Sequence, residues 1–354
     1  MSKTILHTDS EAKKAFETLN LNRVWLPVLL GISVVSFLFL RDDAFSADGI
    51  RLIGQARISY LLLALLTVVI HDAAFIYRIR VITQQQLGWL SSTYIIILWT
   101  FASSVTPSVV GGGVVAIFLM AREGIKAGKA LAYVMLTVIF DNFFFVLSAP
   151  FGYERARAHL FPANVGAQWQ GSFAYIFWVG YLLIAVYTLS MILALFVKPK
   201  GFKWLLIKIT SIGPFKRWQE AASIHGDEVI MASDVLKGNS YGDWASITLT
   251  SFVAWAMRFV ILNALISAYV PLNFSEHIIV FSKHLVLWVM MLISPTPGSS
   301  GAAEFFFQQF YQSTLGEYTL ATDFIWRMFT YYLYLLLGVI CLPRWLKHQA
   351  SRQQ

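Results

Sequence analysis

The chain alternates long apolar runs with short polar breaks. Runs of spanning or near-spanning length cover 24 to 40, 57 to 77, 87 to 105, 108 to 121, 130 to 151, 171 to 197, 244 to 270, 278 to 294, 299 to 316 and 321 to 342. A helix needs about 20 residues to cross a bilayer, so the third, fourth, eighth and ninth runs are short. The pattern predicts an all-α polytopic membrane protein with about eight to ten membrane segments.

The short runs meet in pairs at two similar breaks. The first holds Ser103, Ser104, Thr106, Pro107 and Ser108, followed by Gly111, Gly112 and Gly113. The second holds Ser294, Pro295, Thr296, Pro297, Gly298, Ser299, Ser300 and Gly301. In each, a threonine able to cap a helix precedes a proline suited to the first helical position. A new helix is therefore expected to start where the old one stops. Breaks of this kind free backbone groups, which at membrane depth must be satisfied by protein or trapped water.

Charge adds an orientation. Apart from Lys283, every lysine falls in the N-terminus, in 122 to 129, in 198 to 243 or in the C-terminal tail. By the positive-inside tendency these regions face the cytoplasm, and both termini with them. The first broken hairpin then enters from the cytoplasm and the second from outside, which makes the chain an inverted repeat with two re-entrant hairpins. The expected division is a cytoplasmic amphipathic segment, 1 to 23; a first repeat, 24 to 151, with its hairpin at 87 to 121; a second repeat, 152 to 342, with an interfacial loop at 198 to 243 and a hairpin at 278 to 316; and a cytoplasmic tail, 343 to 354. In the interfacial loop Trp204, Leu205, Leu206 and Ile209 alternate with Lys203, Lys208, Lys216 and Arg217. That alternation fits helices lying in the headgroup layer, and it equally fits a solvated connector.

Composition narrows the function. With 57% hydrophobic and 13% charged residues and a mean hydropathy of +0.63, the chain is not an ordinary soluble domain. It is expected to be a multi-pass protein of the cell (inner) membrane. The net charge of +8 is scattered between apolar runs, so nucleic acid is not an expected partner. The lone Cys341 forms no internal disulfide, and no Cys/His spacing suggests a metal or cofactor. No Gly-rich loop ending in Lys-Ser or Lys-Thr is present, so ATP is not the expected energy source.

The second break resembles a known family. Pro295 to Gly301, Glu304, Leu315, Gly316, Arg327 and Tyr331 are similar to a signature of the transmembrane flippase domain of lysylphosphatidylglycerol synthases and their stand-alone relatives. Thr106, Pro107, Gly111 to Gly113, Arg122, Gly124, Ala130 and Asp141 fit the spacing of its first signature, although Val114 and Val115 stand where relatives commonly carry Glu. The resemblance implies lipid translocation without naming the lipid. No aminoacyl-transferase domain is expected after Gln354, so the resemblance implies the translocating part alone, not an enzyme.

Charged side chains inside a membrane cost on the order of 2.5–3.5 kcal/mol each, and those present become candidates for function. They are His71, Asp72, Asp141, Arg258, His284, Glu304 and Arg327. A translocation path is expected from Thr106, Pro107, Gly112, Asp141, Arg258, Thr296, Pro297, Gly298, Gly301, Glu304 and Arg327, enclosing a polar cavity between the hairpins. Arg258 and Arg327 would offset a lipid phosphate. Glu304 is equally suited to capping its own helix, and pairs of Glu304 with Arg327 or Asp141 with Arg258 would only stabilise the bundle. His71, Asp72, Arg78 and Arg122 are candidate headgroup contacts near the cytoplasmic face. The expected activity is movement of an anionic phospho- or polyprenyl-phosphate-type lipid between leaflets by alternating access. Two other readings stay open: a headgroup transferase using Glu304 or His284 as base, and a non-transporting scaffold for lipid-synthesis enzymes. Membrane lipids are the expected partners, with a homo-oligomer or such enzymes besides.

Overall fold

The computed structural model describes residues 47–106, 109–160, 167–236, 238, 240–292, 294 and 296–352. The expected segments 1 to 23 and 24 to 40, with Pro107 and Pro295, lie outside the described residues. Among those described, the regular structure is entirely helical, without a strand. In chain order the α-helices are α1 (Ala47–Ile53), α2 (Ile58–Ile82), α3 (Trp89–Val105), α4 (Val109–Arg122), α5 (Ala127–Ala156), α6 (Ala167–Ile192), α7 (Pro199–Thr210), α8 (Gln219–Leu236), α9 (Tyr241–Ser267), α10 (Phe274–Met291), α11 (Ala302–Leu315), α12 (Thr319–Arg327) and α13 (Leu333–Arg352). Six helical stretches are long and apolar enough to cross a membrane, and Trp89–Val105 and Gly112–Arg122 are shorter apolar helices.

Local chemistry sets the ends. Ser240 and Asp243 exchange hydrogen bonds at the start of α9, and Asn273 and Glu276 do so at the start of α10. Each pair satisfies backbone donors that a helix N-terminus leaves open. At the other end of α9, the Arg57 guanidinium donates to the carbonyls of Ser267 and Ala268, where positive charge also suits the helix dipole. Gly316, at φ 56°, turns the chain sharply between α11 and α12.

Helices α2 and α9 pack along much of their length, as do α5 with α10, α3 with α4, and α13 with α3. Close approach is allowed by missing side chains: a Cβ on Gly112 would meet Ser103 Oγ at 1.9 Å, and one on Gly338 would meet the Phe101 ring at 2.1 Å. On α2, Leu62, Leu63, Leu65, Leu66, Val69 and Ile70 remain exposed, the face a bilayer would cover. In the 198 to 243 region α7 leaves Trp204, Leu205 and Ile209 exposed, while Lys203 pairs with Asp227 of α8 at 2.7 Å.

Burial separates into two apolar clusters, and the same helices contribute to both. One contains Val68 of α2, Phe144 and Phe145 of α5, Phe259 and Leu262 of α9, and Leu335 of α13. The other contains Ile79 of α2, Tyr133 and Leu136 of α5, Ile247 of α9, and Trp345 of α13. Between them in sequence, helix by helix, fall His71, Asp72 and Arg78 on α2, Asp141 on α5, Ser251 and Arg258 on α9, and Gly338 on α13. His71, Asp72, Arg78, Asp141 and Arg258 thus fall at a seam between the two apolar clusters.

Candidate functional site

Three constellations gather the charged residues. In the first, the Arg78 guanidinium grips Asp141 with both terminal nitrogens, Nη2 reaching Oδ2 at 3.3 Å, and Nη1 also donates to Ser251 Oγ at 2.9 Å. Trp255 donates its indole N–H to Asp141 Oδ1 at 2.8 Å. The expected Asp141 to Arg258 pair does not form. Asp141 is held instead by an arginine read from sequence as an interfacial headgroup contact, and the pair binds α2 to α5.

The second constellation is the turn before α11. Gly298, Ser299 and Gly301 all have positive φ, at 56°, 55° and 87°, so the backbone folds back tightly. The Arg327 guanidinium reaches into the turn, donating from both terminal nitrogens to Gly298 O at 3.2 Å and from Nη2 to Ser300 Oγ at 3.2 Å. Its Nε lies 2.9 Å from Glu304 Oε1, while Glu304 Oε2 accepts the Gly301 N–H at 2.6 Å. Glu304 therefore fills both roles weighed from sequence, helix cap and partner of Arg327. Thr296 closes the loop by donating to Ser300 O at 2.8 Å, and Pro297 begins the short turn that contains Gly298.

Tyr331 connects this turn to the other hairpin. Its ring lies against Gly298, where a Cβ would come within 2.1 Å, and its hydroxyl donates to Ser104 O at 3.3 Å. Thr106 ends α3, with its hydroxyl turned back onto Ala102 O at 2.7 Å. Gly112 is buried against Ser103. Arg122 stands at the opposite end of α4, beside Glu123, whose carboxylate accepts from Ser91, Trp345 and Gln349.

The third constellation surrounds Arg258. Its guanidinium makes one hydrogen bond, Nη2 to Thr330 O at 3.3 Å, and lies 5.0 Å from the Trp288 ring centroid. Among the described residues, no carboxylate comes within 4.0 Å of it. It lines a cavity of about 10 Å³ with Thr67, His71, Thr330 and Tyr334, enough for about one water. This cavity is far smaller than a lipid headgroup, and Phe329 and Tyr334 are among its walls. Asp72 accepts a hydrogen bond from Tyr334 at 2.7 Å and lies 3.9 Å from His71 Nε2. His71 Nδ1 faces Ala254 O at 2.8 Å, which assigns the proton to that nitrogen.

The sequence reading put His71 and Asp72 near a helix end. In the structure α2 continues to Ile82, so they sit near the middle of a 25-residue helix, and Arg78 is buried rather than interfacial. Ser251, Trp255, Thr330 and Tyr334 were missed, since hydroxyls and aromatics inside apolar runs look like ordinary packing. The available signal was an Asp with no basic residue one helical turn away, which must find polar partners on other helices. His284 turns Nδ1 toward Phe259 O at 3.1 Å, against the Phe259 and Trp326 rings.

Comparison with known proteins points to a membrane family. A UPF0104 membrane protein of Archaeoglobus fulgidus is 22% identical over 321 residues, covering 88% of this chain and 94% of the relative. No solved structure matches the chain. The family model described as the lysylphosphatidylglycerol synthase TM region matches residues 23–338. The chain belongs to the family of lysylphosphatidylglycerol synthase transmembrane regions.

Proposed function

We propose that this protein moves an anionic lipid between membrane leaflets, with Arg258 as the counter-charge for the lipid phosphate. One observation carries the reading: Arg258 is a mid-helix cation that no carboxylate among the described residues contacts, and it lines a small cavity in the seam between two apolar cores. A cation so placed is costly unless an anion visits it. Arg327 is a poorer phosphate ligand, because the Gly298 turn and Glu304 already occupy its donors.

The lengths of α3 and α4 support one re-entrant hairpin, whereas α10 is long enough to cross. At 1.5 Å per residue, the 17 residues of α3 reach about 26 Å and the 14 of α4 about 21 Å, against a hydrocarbon thickness of about 30 Å. The pair formed by α10 and α11 has 18 and 14 residues. In this reading α3 and α4 enter from the cytoplasmic side and α10 and α11 from the other, as an inverted repeat with cytoplasmic termini in the cell membrane. Contact between the hairpins at Tyr331, Gly298 and Ser104 is then the gate. Parting it widens the one-water cavity into a path for the headgroup, while the acyl or prenyl chains stay in the bilayer.

The test is reconstitution into liposomes holding a trace of fluorescent phosphatidylglycerol, with the accessible label quenched over time. Wild type is expected to bring inner-leaflet label to the quencher, and Arg258→Ala to slow this at least about tenfold, the loss of one charge-assisted contact of about 1.5–3 kcal/mol. Equal rates in the variant and wild type would remove Arg258 from the path. Chemical conversion of the lipid would favour a transferase.

A further inference from the structure

We infer that Asp72 is a proton-binding site that couples lipid movement to a pH gradient, by releasing Arg258 to the lipid phosphate when its carboxyl is protonated. The inference rests on the lipid-transport reading and adds to it the driving ion.

The argument begins with the mismatch at the third constellation. Asp72 and Arg258 carry opposite charges at similar depth and lie within electrostatic reach, yet they are not in contact. Tyr334 stands with both: its hydroxyl donates to Asp72, and its side chain lines the cavity beside Arg258. The other charged groups are committed. Arg78 is held by Asp141 and Arg327 by Glu304, both pairs in direct contact. His71, on the same helix, is tied to Ala254 O through Nδ1. Among the described residues of the seam, Asp72 is therefore the acid with no Lys or Arg in contact, and its side chain is 24% exposed.

Coupling follows from competition for one cation. While Asp72 is ionised, its field holds Arg258, and a lipid phosphate must share that charge. When a proton binds the carboxylate oxygen, giving a neutral carboxyl, the field vanishes and Arg258 can be neutralised by the phosphate. Proton and lipid thus favour each other's binding, and by linkage the effect is reciprocal. They travel together. A phosphate of one negative charge plus one proton carries no net charge, so the cycle responds to a pH gradient and not to a membrane potential.

The experiment uses the full chain in phosphatidylcholine vesicles with a trace of fluorescent phosphatidylglycerol. A gradient of one pH unit is imposed, or, separately, a potassium diffusion potential with valinomycin. Label is expected to accumulate severalfold in the leaflet facing the alkaline side, with a ceiling of roughly tenfold per pH unit for one proton per lipid. The potential alone is expected to change nothing. Wild type that moves label at equal rates and to an equal distribution with and without the pH gradient overturns the coupling and leaves transport standing. Absence of any label movement overturns both.

Asp72→Asn is expected to lose the pH-driven asymmetry, and persistence of the asymmetry overturns the assignment. Should Asp72→Asn fail to insert, Tyr334→Phe decides instead. It removes the hydrogen bond to the carboxylate and is expected to shift the pH profile of transport, and an unchanged profile counts against Asp72. His71→Gln is expected to keep the asymmetry, and its loss there would make the histidine the carrier.

Discussion

Helix α2 carries two charged residues that answer charges on neighbouring helices, and they are treated in opposite ways. Arg78 is clamped to Asp141 by two nitrogens, with Ser251 and Trp255 completing the shell. Asp72, nearly two turns earlier, leaves Arg258 uncontacted and takes a tyrosine hydroxyl instead. A closed pair costs desolvation and returns it through hydrogen bonds, which suits a fixed joint. An open pair holds two charges that still need something, which suits a site through which ions or headgroups pass.

Breaking the closed pair is the largest expected effect. Arg78→Ala strands the Asp141 carboxylate between α2 and α5, and breaking a buried pair from one side costs about 3–5 kcal/mol. Thermal unfolding in detergent should show a large drop. Arg78→Met combined with Asp141→Leu should recover most of it, because two apolar residues of similar volume leave no charge behind. If the single variant is as stable as wild type, the joint is not structural and the contrast with Asp72 fails.

Next comes the turn that Arg327 fills. Gly298→Ala places a Cβ 2.1 Å from the Tyr331 ring at a φ of 56°, so strain and overpacking act together. About 2–4 kcal/mol of destabilisation is expected, and Tyr331→Ala in the same chain should relieve the packing part while leaving the strain. Glu304→Gln should cost less, about 1–2 kcal/mol: the amide oxygen can still accept the Gly301 N–H, and Arg327 keeps its bonds to Gly298 and Ser300. Glu304→Ala loses the cap as well and should fall further in the same melting series.

Much of the fold could be read from the apolar runs. The run at 171 to 197 became α6 with its π-helical extension, 244 to 270 became α9, and both Thr-Pro breaks separate short helices. The turn at Gly298 was also legible, since its glycines and Glu304 signal a tight helix start. Partner choice was not. Asp141 finds Arg78 at a sequence separation of 63 because α2 and α5 face each other across the seam, which no local spacing encodes. The depth of His71 and Asp72 was misjudged for a related reason. Arg78 and Arg80 look like the water-exposed end of a span when their partners are unknown, yet Arg78 is buried against an acid and Arg80 lies over the Trp89 ring at 3.9 Å.

The smallest expected effect on stability is the most informative about the open pair. Arg258→Ala removes one charge-assisted hydrogen bond, to Thr330 O, worth about 1.5–3 kcal/mol. It also removes a charge whose placement in a membrane costs on the order of 2.5–3.5 kcal/mol when nothing neutralises it. The two terms oppose each other, so the melting temperature should stay near that of wild type or rise, while lipid movement falls at least about tenfold. A variant that loses transport without losing stability has lost a working charge. A variant that loses both in the manner of Arg78→Ala shows Arg258 to be a second joint, with the Asp72 field as its partner, and the distinction between the two residues of α2 would disappear.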